Sequence, residues 1–274
     1  METKLSMAFA ATICLAPGCA DRTAPAPTQP TTAAIALEAV DPAVAFKARL
    51  AMGQQCPKYD GRDHSCLLAS EAGRLASTAG RASRDGNALC FKTDAAAPVC
   101  LRDRPAEGLD SERDYDHHWY LGRLSAPPLY VVEHWRYENS ATILIDAVNG
   151  AISRVAAPPV ASPDGERIAV ASTQLDPKAD SQDRVVYRLA ASLTIYRYRY
   201  GIVHQEFEVK PDGDWGPGQP RWLSPSSVEV PVQRLAGGNE RGELQATGVR
   251  RYELIDERWR EHMPSASKPV AAAN

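Results

Sequence analysis

Asp114, Asp116 and His118 occupy alternate positions in the segment Asp114-Tyr115-Asp116-His117-His118-Trp119. Side chains two apart on a β-strand point to the same face, so this spacing would gather two carboxylates and an imidazole on one surface. Such a set can ligate a divalent metal or supply an acid–base pair. A solvated loop ahead of a strand has the same composition without any site. His134, between Glu133 and Trp135, reads as a strand histidine with a local partner, and His204 reads the same way. A second set lies further on, where Thr194, Tyr196, Tyr198 and Tyr200 alternate with Arg197 and Arg199. Tyrosines beside arginines offer a binding surface for glycan or anionic lipid headgroups. Cross-strand aromatic packing is the competing use of the same stripe. The spacing assigns no catalytic residue, metal ligand or cofactor. The patterns G-x-S-x-G, H-E-x-x-H, G-x-G-x-x-G and the P-loop are all missing.

Strands must hold these groups, and the chain is patterned for strands from Leu89 onward. Apolar and β-branched runs alternate with turn signals such as Pro127-Pro128, Asn149-Gly150, Pro163-Asp164-Gly165, Pro211-Asp212-Gly213 and Gly237-Gly238. The runs predict strands over Trp119–Leu124, Leu129–Tyr137, Ala141–Ala147, Ala151–Val155, Arg167–Ser172, Val185–Arg199, Ile202–Lys210, Ser227–Arg234, Gly248–Ile255 and Arg258–His262. Pro42 to Met52 reads as a helix, and the Ala-rich stretch from Ser65 to Ser83 as helix or irregular strand. Trp215-Gly216-Pro217-Gly218 reads as a turn that docks its tryptophan, with Trp222, on a sheet edge. The 31 basic and 34 acidic residues leave a formal net charge of −3. That balance gives no basic stripe for nucleic acid.

Of six cysteines, Cys14 lies in an apolar N-terminal stretch. Cys56, Cys66, Cys90 and Cys100 remain as a disulfide set once Cys19 is given another role. Three pairings are open, and Cys56–Cys66 with Cys90–Cys100 is favoured. Cys90 and Cys100 are equidistant from Ala95, so a symmetric hairpin sets them opposite each other, and Tyr59-Asp60-Gly61 can turn the chain between the other two.

Lys4 followed by the apolar run Ser6 to Ala16 has the build of a signal peptide over residues 1–18. Its end, Ala16-Pro17-Gly18-Cys19, resembles a bacterial lipobox. The resemblance implies that Cys19 carries lipid, and the Ala20 that follows implies the outer membrane, facing the periplasm or the cell surface. Residues 19–37 then read as lipid attachment and a Pro-rich tether, 38–262 as one β-rich domain, and 263–274 as a disordered tail.

Within the domain, Ser162-Pro163-Asp164-Gly165-Glu166-Arg167-Ile168-Ala169-Val170 is similar to the S-P-D-G repeat of bacterial periplasmic β-propellers of the TolB type. A second Ser-Pro at Ser224-Pro225 follows at an offset of 62 residues. The resemblance implies Asp164-Gly165 at the tip of a tight turn. It also implies matching strands around Ile143 and Ile195, and a third around Val249–Ile255. The expected fold is all-β: a short or incomplete propeller-like stack of antiparallel sheets from about residue 115, or alternatively a β-sandwich, with a small irregular or helical N-terminal portion. The expected function is an envelope-anchored binding or scaffolding module, its partners the membrane, through the anchor, and an envelope protein or glycan. A cell-envelope hydrolase using the Asp114–His118 region and a structural surface lipoprotein are the alternatives.

Overall fold

A computed structural model of the chain describes residues 41–56, 65–104, 116–136, 139–179, 185–213, 215–236 and 243–262. The signal, lipid-attachment, tether and tail assignments, and Asp114, lie outside them. The described chain is mostly β with two helices, α1 (Val44–Gln55) and α2 (Ser65–Ala76). No described helix is long and apolar enough to cross a membrane.

Four antiparallel sheets follow the helices. The first is β1 (Ala82–Asp85), β2 (Ala88–Phe91) and β3 (Val99–Arg102). The second is β4 (Asp116–Arg123), β5 (Leu129–Arg136), β6 (Asn139–Asp146) and β7 (Ile152–Val155). The third is β8 (Val160–Ala161), β9 (Arg167–Ala179), β10 (Val185–Arg199) and β11 (Ile202–Val209). In the fourth, β12 (Gly216–Pro217) and β13 (Arg221–Ser224) both pair with β14 (Ser227–Leu235), followed by β15 (Leu244–Ile255) and β16 (Arg258–Glu261). Within the first three sheets, strands adjacent in sequence are adjacent in space, as short hairpin connections favour.

Alternation along the strands gives each inner sheet two apolar faces. Trp119, Leu121, Val131 and Leu144 of the second sheet pack with Ile168 and Val170 of the third and with Ala45, Met52 and Leu67 of the helices. Tyr120, Tyr130, Val132, Ile143 and Ile145, on the opposite face, meet Leu89 and Phe91 of the first sheet. The third sheet turns Ala169, Leu193 and Ile195 toward Val228, Val230, Tyr252 and Trp259 of the fourth. The sheets therefore stack face to face, one after another.

Both favoured cysteine pairs are bonded, Cys56 to Cys66 and Cys90 to Cys100. Cys90 lies directly opposite Cys100 across β2 and β3. Such pairs persist in oxidising, exported compartments.

The Asp-Gly turn has the expected form. It joins β8 to β9, Gly165 has φ of +70°, and its N–H donates to the Ser162 carbonyl at 3.0 Å. A Cβ at Gly165 would lie 2.4 Å from the Ala126 Cβ and 2.8 Å from its carbonyl carbon, so the position excludes a side chain. Ile168 and Val170 face one core, and Ala169 faces the next. Pro225-Ser226 sits in the corresponding place between β13 and β14. The Trp222 indole N–H donates to the Val160 carbonyl at 2.9 Å, tying the two equivalent strands together. Ile143, Ile195 and Val249–Ile255 all lie on the third strand of a four-strand run, in the second, third and fourth sheets respectively.

Three expectations need correction. Sheet stacking starts at Ala82 rather than near residue 115, because the disulfide-bonded first sheet covers one face of the second. Ser65 to Ser83 divides into a helix and the start of a strand. Gly216–Pro217, read as part of a turn, is a two-residue strand on β14. The close approach there needs a glycine, since a Cβ on Gly216 would lie 2.5 Å from Thr173 Oγ1.

Candidate functional site

The polar residues of interest gather where the first and second sheets meet. β4 and β5 pair Asp116 with Arg136 and His118 with His134, so these four share a face with Tyr120 and Val132. Further along, that face is apolar core packed against Leu89 and Phe91 of the first sheet. At its other end the chain leaving β3 supplies Asp103 and Arg104, and Arg104 bridges to Asp116 through two backbone hydrogen bonds of 2.8 and 3.0 Å.

Asp103 is buried and fully engaged. Its Oδ1 accepts from the His118 backbone N–H and from His118 Nδ1, each at 2.9 Å, while Oδ2 accepts from Arg84 at 2.7 Å. Arg84 also spans both oxygens of Glu71, at 2.6 and 3.1 Å, and donates to the His118 carbonyl. Glu71 Oε1 takes the Tyr120 backbone N–H at 2.6 Å. Burial alone would raise the Asp103 pKa, but the His118 hydrogen bond and the Arg84 charge outweigh it and hold the carboxyl below its usual range. Burial likewise works against the Arg84 charge, and its bonds to Glu71 and Asp103 outweigh that, raising its pKa.

His118 and His134 stack in parallel, with ring centroids 4.6 Å apart and planes 3° from parallel. Asp116 Oδ1 bonds His134 Nε2 and lies 3.8 Å from His118 Nε2, while Oδ2 lies 3.3 Å from Arg104. Arg154, exposed on β7, donates to His134 Nδ1 at 3.1 Å. Burial, the neighbouring His118 and the Arg154 charge outweigh the Asp116 hydrogen bond and lower the His134 pKa, so this imidazole is neutral at neutral pH. Burial pushes Asp116 up, but its bond to His134 and its pairing with Arg104 more than offset this, and it stays ionised. The donor atoms of Asp116, His118 and His134 all lie within 4.8 Å of one another. The imidazoles are buried, and the Asp116 side chain keeps 16% of its exposure, which leaves the cluster an approach from solvent.

Alternation along one strand thus identified Asp116 and His118. His134 is a strand histidine, as expected, and its partner is Asp116 of the neighbouring strand, which brings it to the same face as the other two. Asp103 and Arg154 carried no sequence signal, since one sits at a strand exit and the other two strands away.

The tyrosine stripe does not assemble as one surface. Tyr196 and Tyr198 pack against the core between the second and third sheets, and the Tyr198 hydroxyl donates to Asp146 Oδ2 at 2.5 Å. Tyr200 is 93% exposed, at a left-handed turn position with φ of +54°. A groove of about 580 Å³ between the helices is lined by Ala51, Cys66, Ala69, Ser70, Gly73 and Arg74. Its one charged side chain, Arg74, is committed to the Tyr120 carbonyl at 2.8 Å and Ser70 at 3.0 Å. Comparison with protein-family models, curated proteins and solved structures gave no match for this chain.

Proposed function

We propose that the chain is an exported binding module of the bacterial cell envelope, with Asp116, His118 and His134 as the point where its ligand engages. In this reading lipid on Cys19 anchors it to the outer membrane, residues 19–37 carry the domain away from the lipid surface, and the stacked sheets form an incomplete propeller of TolB-type repeats. The observation that carries the reading is the convergence of three donor atoms within 4.8 Å in a partly buried position. Polar groups gathered beyond what pairing requires are a common mark of function. The paired cysteines suit the exported compartment.

Two measurements test it. Metabolic labelling with a fatty-acid analogue should mark the wild type and not Cys19→Ala, and labelling that survives the substitution removes the anchor. A photo-crosslinker in place of Arg104, at the edge of the cluster, should capture one envelope component in intact cells. Capture should fall when His134→Ala is added, and capture indifferent to His134 removes the site.

A hydrolase is the second reading, favoured by one observation: His118 and His134 are each held by a carboxylate, Asp103 and Asp116. That arrangement orients an imidazole as a general base. Turnover of activated esters that disappears in His134→Ala would establish it over simple binding.

A further inference from the structure

We propose that Asp116, His118 and His134 form a site for a divalent transition-metal ion, with Asp103 as the residue that orients His118 and Arg154 as the residue that opposes loading. The inference rests on the binding reading above and gives that site a ligand class.

The donor set is one carboxylate oxygen and two imidazole nitrogens. Two nitrogens disfavour calcium and magnesium, which take oxygen ligands, and suit zinc and its first-row neighbours. Three protein ligands leave a coordination position for water or a further ligand. Ligands of a tetrahedral ion with bonds of about 2.05 Å stand roughly 3.3 Å apart. Donor atoms already within 4.8 Å must close by about 1.5 Å, and the two rings, 3° from parallel, must turn so that their in-plane lone pairs converge on the ion.

The surroundings of His118 carry the argument further. Its Nδ1–H points at Asp103 Oδ1 at 2.9 Å, and the same oxygen holds the His118 backbone N–H. The proton therefore belongs on Nδ1, which leaves the Nε2 lone pair directed toward Asp116, 3.8 Å away. A carboxylate behind an imidazole in this way fixes the tautomer and increases ligand basicity. Arg84 holds Asp103 in turn through a 2.7 Å bond.

His134 is arranged differently. Arg154 can only donate, so its contact with Nδ1 at 3.1 Å places the His134 proton on Nε2, where it bonds Asp116. Metal binding requires that proton to move to Nδ1 and Arg154 to withdraw. Arg154 is exposed, so its withdrawal moves it into solvent and gives up its part-buried bond to His134. Removing Arg154 should therefore strengthen binding, both by freeing the tautomer and by deleting a nearby positive charge. A site that serves only as a hydrogen-bonded pair predicts no such gain.

The test uses the full chain, purified in detergent and stripped with a chelator, titrated with zinc by calorimetry and with cobalt(II) by visible absorption. One equivalent should bind, and cobalt should show the ligand-field bands of a low-coordinate nitrogen–oxygen site. His118→Ala and His134→Ala should each weaken zinc binding by about a hundredfold, and Asp103→Asn by about tenfold. Arg154→Ala, on the surface and neutral to folding, should tighten it by about tenfold. Circular dichroism of each variant separates a lost ligand from a lost fold. Absence of binding to the folded wild type, affinity unchanged in both histidine variants, or weaker binding in Arg154→Ala would each overturn the proposal. Envelope crosslinking that still depends on His134 when zinc does not bind would sink the metal and leave the binding reading standing. Zinc bound as described with crosslinking indifferent to His134 would do the reverse.

Discussion

Two of the sheet junctions bury ion pairs, and their partners are arranged differently. Between the third and fourth sheets, Glu206 takes Arg167 at 2.8 Å, the Trp259 indole N–H at 3.3 Å and Arg197 at 3.7 Å. Glu206 is the hub of this group, and Arg197 reaches beyond it to Glu166 at 3.3 Å. Between the first and second sheets, Arg84 is likewise answered by Glu71 and Asp103. Beyond that pair, however, lie Asp116, His118 and His134, whose donor atoms are within 4.8 Å of one another. A buried ion pair needs partners and nothing else. The surplus at one junction, set against the ion pairs at the other, separates groups that hold the fold from groups available to a ligand.

Arg84→Met should do the greatest damage. It strands Glu71 and Asp103, whose side chains are 1% and 6% exposed. Urea denaturation should show a loss of about 3–5 kcal/mol, and a loss below about 1 kcal/mol would deny Arg84 a structural role. Gly165→Val, which breaks neither junction, serves as a reference for pure backbone strain. Its clash with Ala126 and its positive φ should cost about 2–4 kcal/mol, while the exposed neighbour Glu166→Ala should stay within about 0.5 kcal/mol. Arg167→Met at the junction of the third and fourth sheets should cost less, about 1–2 kcal/mol, because Glu206 is 21% exposed and keeps some water. Among the junction variants His134→Ala should cost least, under about 1 kcal/mol, since Asp116 retains Arg104 and solvent. A loss in His134→Ala as large as in Arg84→Met would reassign the cluster to stability and erase the contrast between the junctions.

Much of the fold was legible because strand periodicity and turn chemistry agreed. Val185–Arg199 is a strand over the predicted span, and Asp164-Gly165 turns where Asp-Gly must. β1 was missed because Ala82-Ser83-Arg84-Asp85 has no β-branched or aromatic residue to mark it. Asp116 and His118 could be grouped because they lie on one strand. His134 could not, because its place depends on an irregularity. The β4–β5 register shifts between Tyr120 and Gly122. Continued without the shift, the Gly122–Val131 pairing would set His118 opposite Trp135, and His134 would point to the other face. For Tyr196 and Tyr198 the sequence leaves packing and binding both open for a related reason. Alternation shows that they share a face with each other, but not that the second sheet covers it.

The order of the sheets has an energetic consequence. Each described core cluster joins neighbouring layers: first to second, second to third, third to fourth. Such a molecule behaves as a short one-dimensional array in which stability is transmitted from unit to unit. A disturbance at Trp259 reaches the Asp116 cluster only through the third and second sheets, each able to absorb part of it. The fourth sheet can therefore fray, uncovering Ala169, Leu193 and Ile195, while the imidazoles at the opposite end of the array stay in register.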